Sequence, residues 1–313
     1  MRLFSNSTNF PFMKLRFFFM FCSAMLIAFG MFHWNKAGIN KYSVDFLGGT
    51  EIIVHFDKFV NPSEIRTALE ESGIHGAVVQ SFQGGSNDFT IRLKGDDTKE
   101  VAKTVDVALA KFEGLKHEFL KQDYVGPVIG EKIRKDAIVA IALSILIIGI
   151  YVTARFEWRF AVGACIAIVH DIFITAGIFV FFNGEIGAAF LAAILTVVGY
   201  SINDTIIIFD RVRENILESR AKKGSGKKQA NGKAFSEMSL IEIFDISVNQ
   251  TLSRTILTSA TAVFVTAALC AYGGGALYDL SWALLIGIVF GTYSSVFIAS
   301  PAVLLFSSDA GNE

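Results

Sequence analysis

The stretch Tyr200-Ser-Ile-Asn-Asp-Thr-Ile-Ile-Ile-Phe-Asp-Arg-Val-Arg-Glu-Asn215 decides the fold. It closes an apolar run that begins near Ile186, and inside that run it carries Asn203 and Asp204. The charged cluster Asp210, Arg211, Arg213 and Glu214 starts six residues after Asp204, about 9 Å further along a helix. The Asp204 carboxyl group is therefore expected inside membrane hydrocarbon rather than at its edge, where an ionised Asp costs about 2.5–3.5 kcal/mol. A span tolerates such a group when it pairs, faces a wet cavity or carries a proton. The plainer alternative is a structural hydrogen bond between helices.

Composition agrees with a membrane protein. Of 313 residues, 52% are hydrophobic, and mean hydropathy is +0.50. Several segments approach the roughly 20 residues that cross a bilayer. A net charge of −1 gives no argument for nucleic acid as a partner. Cys22, Cys165 and Cys270 all fall in apolar runs, which argues against a disulfide framework. The five histidines show no metal-ligand spacing. Gly224-Ser-Gly-Lys-Lys228 lacks the first glycine of a phosphate loop and the Ser or Thr after its lysine. No nucleotide site, cofactor or ATPase chemistry is expected.

Residues 1–35 read as a cytoplasmic N-terminus and first span. Arg2, Lys14 and Arg16 precede an apolar run from about Phe17 to Phe32. A signal peptide has this outline, but the run is rich in Phe and Met and lacks a small-x-small site, so an uncleaved span anchored by Trp34 is expected. Residues 36–135 form one large polar segment. Val44–Phe56 reads as a strand entered through a Gly-Gly bend, and Asn61-Pro-Ser-Glu64 opens a helix to about Ser72. Ala77–Gln83 and Asp88–Leu93 read as strands, Thr98–Phe112 as a helix and His117–Val125 as a last strand. The order βαββαβ predicts an α+β, ferredoxin-like module of roughly 80 residues. Its scattered acids make no catalytic dyad, so the module is read as a positioning or binding domain.

Residues 136–313 read as a five-helix transmembrane domain. Its apolar runs lie at about 137–154, 160–182, 186–209, 255–271 and 280–306, making six spans with the first. Arg155 and Arg159 separate the second and third, and a basic loop at about 211–250 holds Arg213, Arg220, Lys222, Lys223, Lys227, Lys228 and Lys233. The connections near Asn183-Gly-Glu185 and Tyr272–Asp279 hold no Lys or Arg. The positive-inside rule then places both termini in the cytoplasm and the α+β module outside, in the periplasm. The basic loop is either a solvated topogenic loop or a binder of anionic lipid.

Three details inside the spans carry candidate chemistry. His170-Asp171 is a second intramembrane ionisable pair, either a relay element or a helix-locking hydrogen bond. Gly287-Ile-Val-Phe-Gly291 offers a small-xxx-small packing face. Arg254, in Asn249-Gln-Thr-Leu-Ser-Arg-Thr255, is expected at a depth similar to Asp204 on the neighbouring antiparallel span. It either pairs with Asp204 or snorkels to the headgroups.

Four blocks resemble the signature blocks of the SecF family, the smaller half of the SecD–SecF accessory complex of the bacterial Sec translocase, in the RND superfamily. They are Val44-Asp-Phe-Leu-Gly-Gly-Thr50, Val125-Gly-Pro-Val-Ile-Gly130, Gly199–Thr205 with Phe209–Asn215, and Asn249–Thr255. Asp45, Gly48, Gly49, Gly126, Pro127, Gly130, Asp210 and Arg211 are the motif positions within them. The resemblance covers nearly the whole chain in order, although the Lys/Gly-rich segment Glu218–Leu240 is longer than the family pattern. It implies an inner-membrane subunit, not an enzyme, that pairs with six spans of SecD and promotes late-stage polypeptide export with the proton gradient. It implies SecYEG and YajC as further partners, alongside unfolded exported polypeptide and membrane lipid. It also implies a proton pathway in which Asp204 carries the proton opposite Arg254, with Asn203, Thr205 and Asp171 ordering water. An RND-type proton-driven exporter of small molecules or lipids is the alternative. It calls for a larger external region and usually twice as many spans in one chain. A scaffold that transports nothing would have no use for an intramembrane Asp and Arg.

Overall fold

The structure, a computed structural model, describes residues 9–81, 87–94, 98–112, 115–221 and 238–307. Among the described residues, six helical segments are long and apolar enough to cross a membrane: Phe12–Ala37, Pro127–Arg155, Trp158–Phe181, Ala188–Arg220, Leu240–Tyr272 and Ala276–Phe306. The first contains α1 (Arg16–Ala37) after a short 3-10 turn. Then come α2 (Val44–Leu47), β1 (Gly49–Phe56), α3 (Pro62–Glu71), β2 (Val78–Ser81), β3 (Asp88–Lys94), α4 (Thr98–Leu109) and β4 (His117–Val125). The remaining spans are α5 (Pro127–Arg155), α6 (Trp158–Phe181), α7 (Ala188–Ala221), α8 (Leu240–Tyr272) and α9 (Ala276–Ser294), the last continued through a π-helical turn into α10 (Ser300–Phe306).

The four strands form one sheet in the order β2-β3-β1-β4, with every neighbouring pair antiparallel. Alternation along β1 turns Ile52, Val54 and Phe56 to one face, where they pack with Ile65 and Leu69 of α3, Phe89 and Ile91 of β3, and Val105 and Leu109 of α4. Glu51 of β1 and Arg92 of β3 are directly opposed across the ladder, on the face that α3 and α4 leave open.

Several boundaries differ from the sequence reading. Val44–Leu47 is a helical turn, not the start of a strand. The Ser43 hydroxyl accepts from the Asp45 N–H to cap it, and Gly48 at φ +83° ends it, so the strand begins only at Gly49. The strand read to Gln83 ends at Ser81, and 82–86 lie outside the described residues. The helix read over Thr98–Phe112 ends at Leu109. Helix α5 starts at Pro127, ten residues before its apolar run, because proline at the first turn loses no intrahelical donor.

The basic loop at about 211–250 is helical at both ends. Helix α7 runs on to Ala221, and α8 begins at Leu240 behind a Ser239–Glu242 capping box. These extensions hold because Val212, Phe244 and Val248 are buried together and Asn215 Nδ2 donates to Ser247 Oγ at 2.8 Å. The rest of that loop, 222–237, lies outside the described residues.

Helices α6, α7 and α9 form the centre of the bundle, while α1, α5 and α8 turn most of their surface outward. Close approach of α7 and α9 depends on the Gly287–Gly291 pair. A Cβ at Gly287 would lie 2.2 Å from Val197 Cγ2, and one at Gly291 would lie 3.0 Å from Ser201 Cβ. The run at 280–306 is interrupted where Pro301, lacking an N–H, follows the π turn Ser295–Ala299.

Candidate functional site

Both intramembrane acids lie in the centre of the bundle, fully buried. Asp204 projects from α7. Its Oδ2 accepts from Ser259 Oγ of α8 at 3.2 Å and from Thr292 Oγ1 of α9 at 3.4 Å, and those two hydroxyls are 2.6 Å apart. Its Oδ1 is buried without a hydrogen-bond partner. Asp171 projects from α6. Its Oδ2 accepts from Ser201 Oγ of α7 at 2.6 Å and from Ser294 Oγ of α9 at 2.9 Å, while its Oδ1 lies 3.0 Å from His170 Nδ1. Thr205 Oγ1 is 2.9 Å from Ser295 Oγ, in the π turn, and 3.2 Å from the Ser201 carbonyl. Thr205 and Ser295 therefore meet at the backbone carbonyl of Ser201, whose own hydroxyl donates to Asp171. Since α7 carries Ser201, Asp204 and Thr205 within little more than one turn, it joins the two carboxyl networks.

The expected pairing of Asp204 with Arg254 is not formed. No direct ion pair joins them among the described residues; Arg254 is exposed on α8 and acts on Asp204 as a charge at longer range, while the hydroxyls of Ser259 and Thr292 hold the carboxylate. Asn203 does not help to enclose Asp204 either. It is the adjacent residue on a helix, so the 100° rotation per residue turns it to the exposed outer face. The chemistry available here is that of a charge-neutral hydroxyl cage around one carboxyl group. Its second oxygen is left to hold a proton or to meet water. Among the described residues no group of His, Cys, Asp and Glu side chains is placed to hold a metal ion.

A family model described as protein export membrane protein SecD/SecF, C-terminal, matches residues 104–309. The chain belongs to the SecD/SecF family. It is 40% identical over 285 residues to the protein translocase subunit SecF of Vibrio alginolyticus, covering 90% of this chain and 85% of that protein. It is 35% identical over 311 residues to SecF of Thermodesulfovibrio yellowstonii, covering 97% of each. Its fold matches the crystal structure of SecDF, a translocon-associated membrane protein from Thermus thermophilus, with a TM-score of 0.82 and 32% identity over 98% of this chain. A SecDF structure in a super-membrane-facing form gives a TM-score of 0.69 at the same identity. The chain spans 40% of the length of each SecDF chain.

Most of the remaining positions singled out in the sequence blocks form a joint between the sheet domain and the bundle. Asp45 Oδ2 accepts from the Ala188 N–H at 3.0 Å, capping the first turn of α7, the helix that carries Asp204. Beside it, Ser43 N–H donates to the Ile186 carbonyl and Ile186 N–H to the Lys41 carbonyl. Gly48, Pro127 and Gly130 interlock. A Cβ at Gly48 would lie 2.7 Å from Pro127 Cα, and one at Gly130 would lie 2.8 Å from the Gly48 nitrogen. Gly126 is the N-cap position of α5, and Gly49 opens β1. At the far end of the bundle, Asp210 lies 3.6 Å from Arg155, and Arg211 donates to Gln250 of α8 and to Glu214.

One buried cluster in this joint had no sequence signal. Arg92 is 4% exposed. It donates through Nε to Glu51 Oε2 at 2.7 Å, through Nη1 to Gln80 Oε1 and Glu185 Oε2 at 3.3 Å each, and through Nη2 to Asp279 Oδ2 at 3.2 Å. Glu51 and Gln80 belong to the sheet, Glu185 precedes α7, and Asp279 is in the first turn of α9. Burial alone would lower the Arg92 pKa, but Asp279, Glu51 and Glu185 outweigh it and raise the pKa above the usual arginine value. Arginine stays charged and spans the two domains. The only hint in the sequence is that the two lysine- and arginine-free connections each carry an acid, Glu185 and Asp279.

Proposed function

We propose that this chain is an accessory subunit of the Sec protein translocase. In this reading it pairs with a SecD-type partner and uses the proton gradient to promote late-stage export of polypeptides. The observation that carries the proposal is Asp204: a carboxyl group in the middle of a span, caged by hydroxyls from two neighbouring helices, with no cation in direct ion-pair contact among the described residues and one oxygen left over. Family membership supplies the export context. Each proton that passes releases about 2.3 kcal/mol per 100 mV of membrane potential. Asp204 is the proton carrier in this proposal, and Asp171 is a second acid linked to it through α7. Asn203 and Arg254 are both exposed on their helices, where a polar side chain in a span needs a partner or water. That favours a second six-helix half completing the pathway, as the length of the SecDF chains suggests. The sheet domain, with its βαββαβ order and β2-β3-β1-β4 sheet, supports assignment as a ferredoxin-like module. The lysine and arginine distribution supports a periplasmic position for it and cytoplasmic termini. SecYEG, YajC and unfolded polypeptide remain the partners proposed through the family.

The test is gradient-stimulated export of a secretory protein into membrane vesicles. Asp204→Asn keeps the volume and a hydrogen-bonding head but cannot titrate. It should assemble at the wild-type level and lose the stimulation, while Asp204→Glu retains part of it. Equal stimulation in wild type and Asp204→Asn would leave Asp204 as a structural hydrogen-bonding group.

A further inference from the structure

At the end of the bundle remote from the sheet domain, five helices and the carboxyl-terminal turn enclose a cavity of about 990 Å³. Five arginines line it: Arg16 at the start of α1, Arg155 at the end of α5, Arg159 at the start of α6, and Arg213 and Arg220 near the end of α7. Among the described residues, the acid in its wall is Glu157. Among the described residues, Arg155 is the one of the five with a carboxylate in ion-pairing range, Asp210 at 3.6 Å. Charge is only half of the lining, because Phe156, Phe160, Phe244 and Val303 contribute an apolar wall. Arginines alone would suit a free phosphate, and an apolar wall alone would suit any acyl chain. Together they match an amphiphile with an anionic head, and the arginine fork suits phosphate oxygens.

A second feature adjoins the first. The outer face between α5 and α6 holds an apolar groove of about 840 Å³, lined by Leu146, Gly149, Ile150, Ala161 and Cys165 among others, and ending at Trp158. The residues on either side of Trp158, Glu157 and Arg159, line the cavity. Gly149 keeps the groove shallow at the helix contact, since a Cβ there would lie 3.2 Å from Cys165 Sγ. From Ala142 to Ala154, both in its wall, the groove follows α5 for about 18 Å. That is close to one leaflet of a hydrocarbon core about 30 Å thick. Trp158, edge-on to Phe306 and under the Arg159 guanidinium, has the amphipathic character of an interfacial anchor.

We propose that the arginine cavity is a specific site for the headgroup of an anionic phospholipid, phosphatidylglycerol or cardiolipin, with an acyl chain laid in the α5–α6 groove. Basic pockets between spans are a general means of holding such headgroups. The arrangement ties the ends of α5, α6, α7 and α8 to the surface charge of the membrane.

The purified full-length protein is to be titrated in detergent with phosphatidylglycerol and, separately, with phosphatidylcholine of the same acyl chains, counting retained lipid by native mass spectrometry. Phosphatidylglycerol should be retained at least about tenfold more strongly, given roughly fivefold per engaged arginine. The double variant Arg159→Gln, Arg213→Gln should lower the preference for phosphatidylglycerol by at least about tenfold, and Arg159→Lys with Arg213→Lys should keep most of it. Lys132→Gln with Lys135→Gln, at the opposite end of α5, should change nothing. Equal retention of the two lipids by the wild type would overturn the proposal, and that comparison needs no variant. A loss of the same size in the lysine-to-glutamine control would also overturn it. Complete displacement of phosphatidylglycerol by millimolar glycerol phosphate would show a free-phosphate site and overturn the lipid assignment.

Discussion

Replacing Arg92 by Gln should undock the sheet domain from the bundle without unfolding it. The substitution removes the cation held by Glu51, Glu185 and Asp279 and leaves a short neutral donor in its place. Breaking a buried pair by deleting one partner costs about 3–5 kcal/mol, because the partner is left as an uncompensated charge. Glu185 and Asp279 are almost fully buried, so that range applies to them; Glu51 is about one fifth exposed and contributes less. The sheet's own core, around Ile52, Phe89 and Leu109, lies on the other face and does not touch the cluster. Hydrogen exchange separates the two outcomes. A loss of 3 kcal/mol in docking speeds exchange through local opening by about 150-fold. The amides around Asn183–Ala188 and Ala276–Leu280 should show this acceleration, while those of β1 and β3 keep their protection. Arg92→Lys should be intermediate, since it keeps the charge but not the fork. A basic group whose pKa is raised by folding contributes its stability below the ordinary value and loses it only as pH rises through the raised one. Arg92 thus stays charged through the working range. Unchanged exchange at both connections in a folded Arg92→Gln protein would refute the docking role.

Gly48→Ala should lower the melting temperature and yield of the folded protein. The added methyl would meet Pro127 Cα at 2.7 Å with the backbone at φ +83°, adding about 1–2 kcal/mol of left-handed strain to a clash with backbone atoms. A thermal scan showing no loss would mean that the α2–α5 joint opens freely. For orientation, single cysteines at Glu70 and Glu214 in a cysteine-free background should differ on intact spheroplasts: an impermeant thiol reagent labels position 70 and spares 214. The opposite pattern would reverse the topology argued from the lysines and arginines.

The six spans were legible in the sequence because a span is a local property. About 20 apolar residues are enough, whatever they pack against. The same holds for the alternation in β1 and for the helix start at Asn61-Pro62, where the signal lies within a few residues. Asp204 and Asp171 stood out for the same reason, as acids in runs where a charge is expensive. Their partners were not legible. Inside a bilayer both the lipid-facing and the bundle-facing sides of a helix are apolar, so hydropathy does not fix the rotation of α7 about its axis. Contacts such as Val197 against Gly287 and Ser201 against Gly291 decide it. That rotation turned Asp204 toward Ser259 and Thr292 and Asn203 outward, and it left Arg254 unpaired with Asp204. The Arg92 cluster depended on tertiary structure still more. It joins residues 51, 92, 185 and 279 from two domains, and a charge on a strand reads as solvent-facing until another domain is known to cover that face.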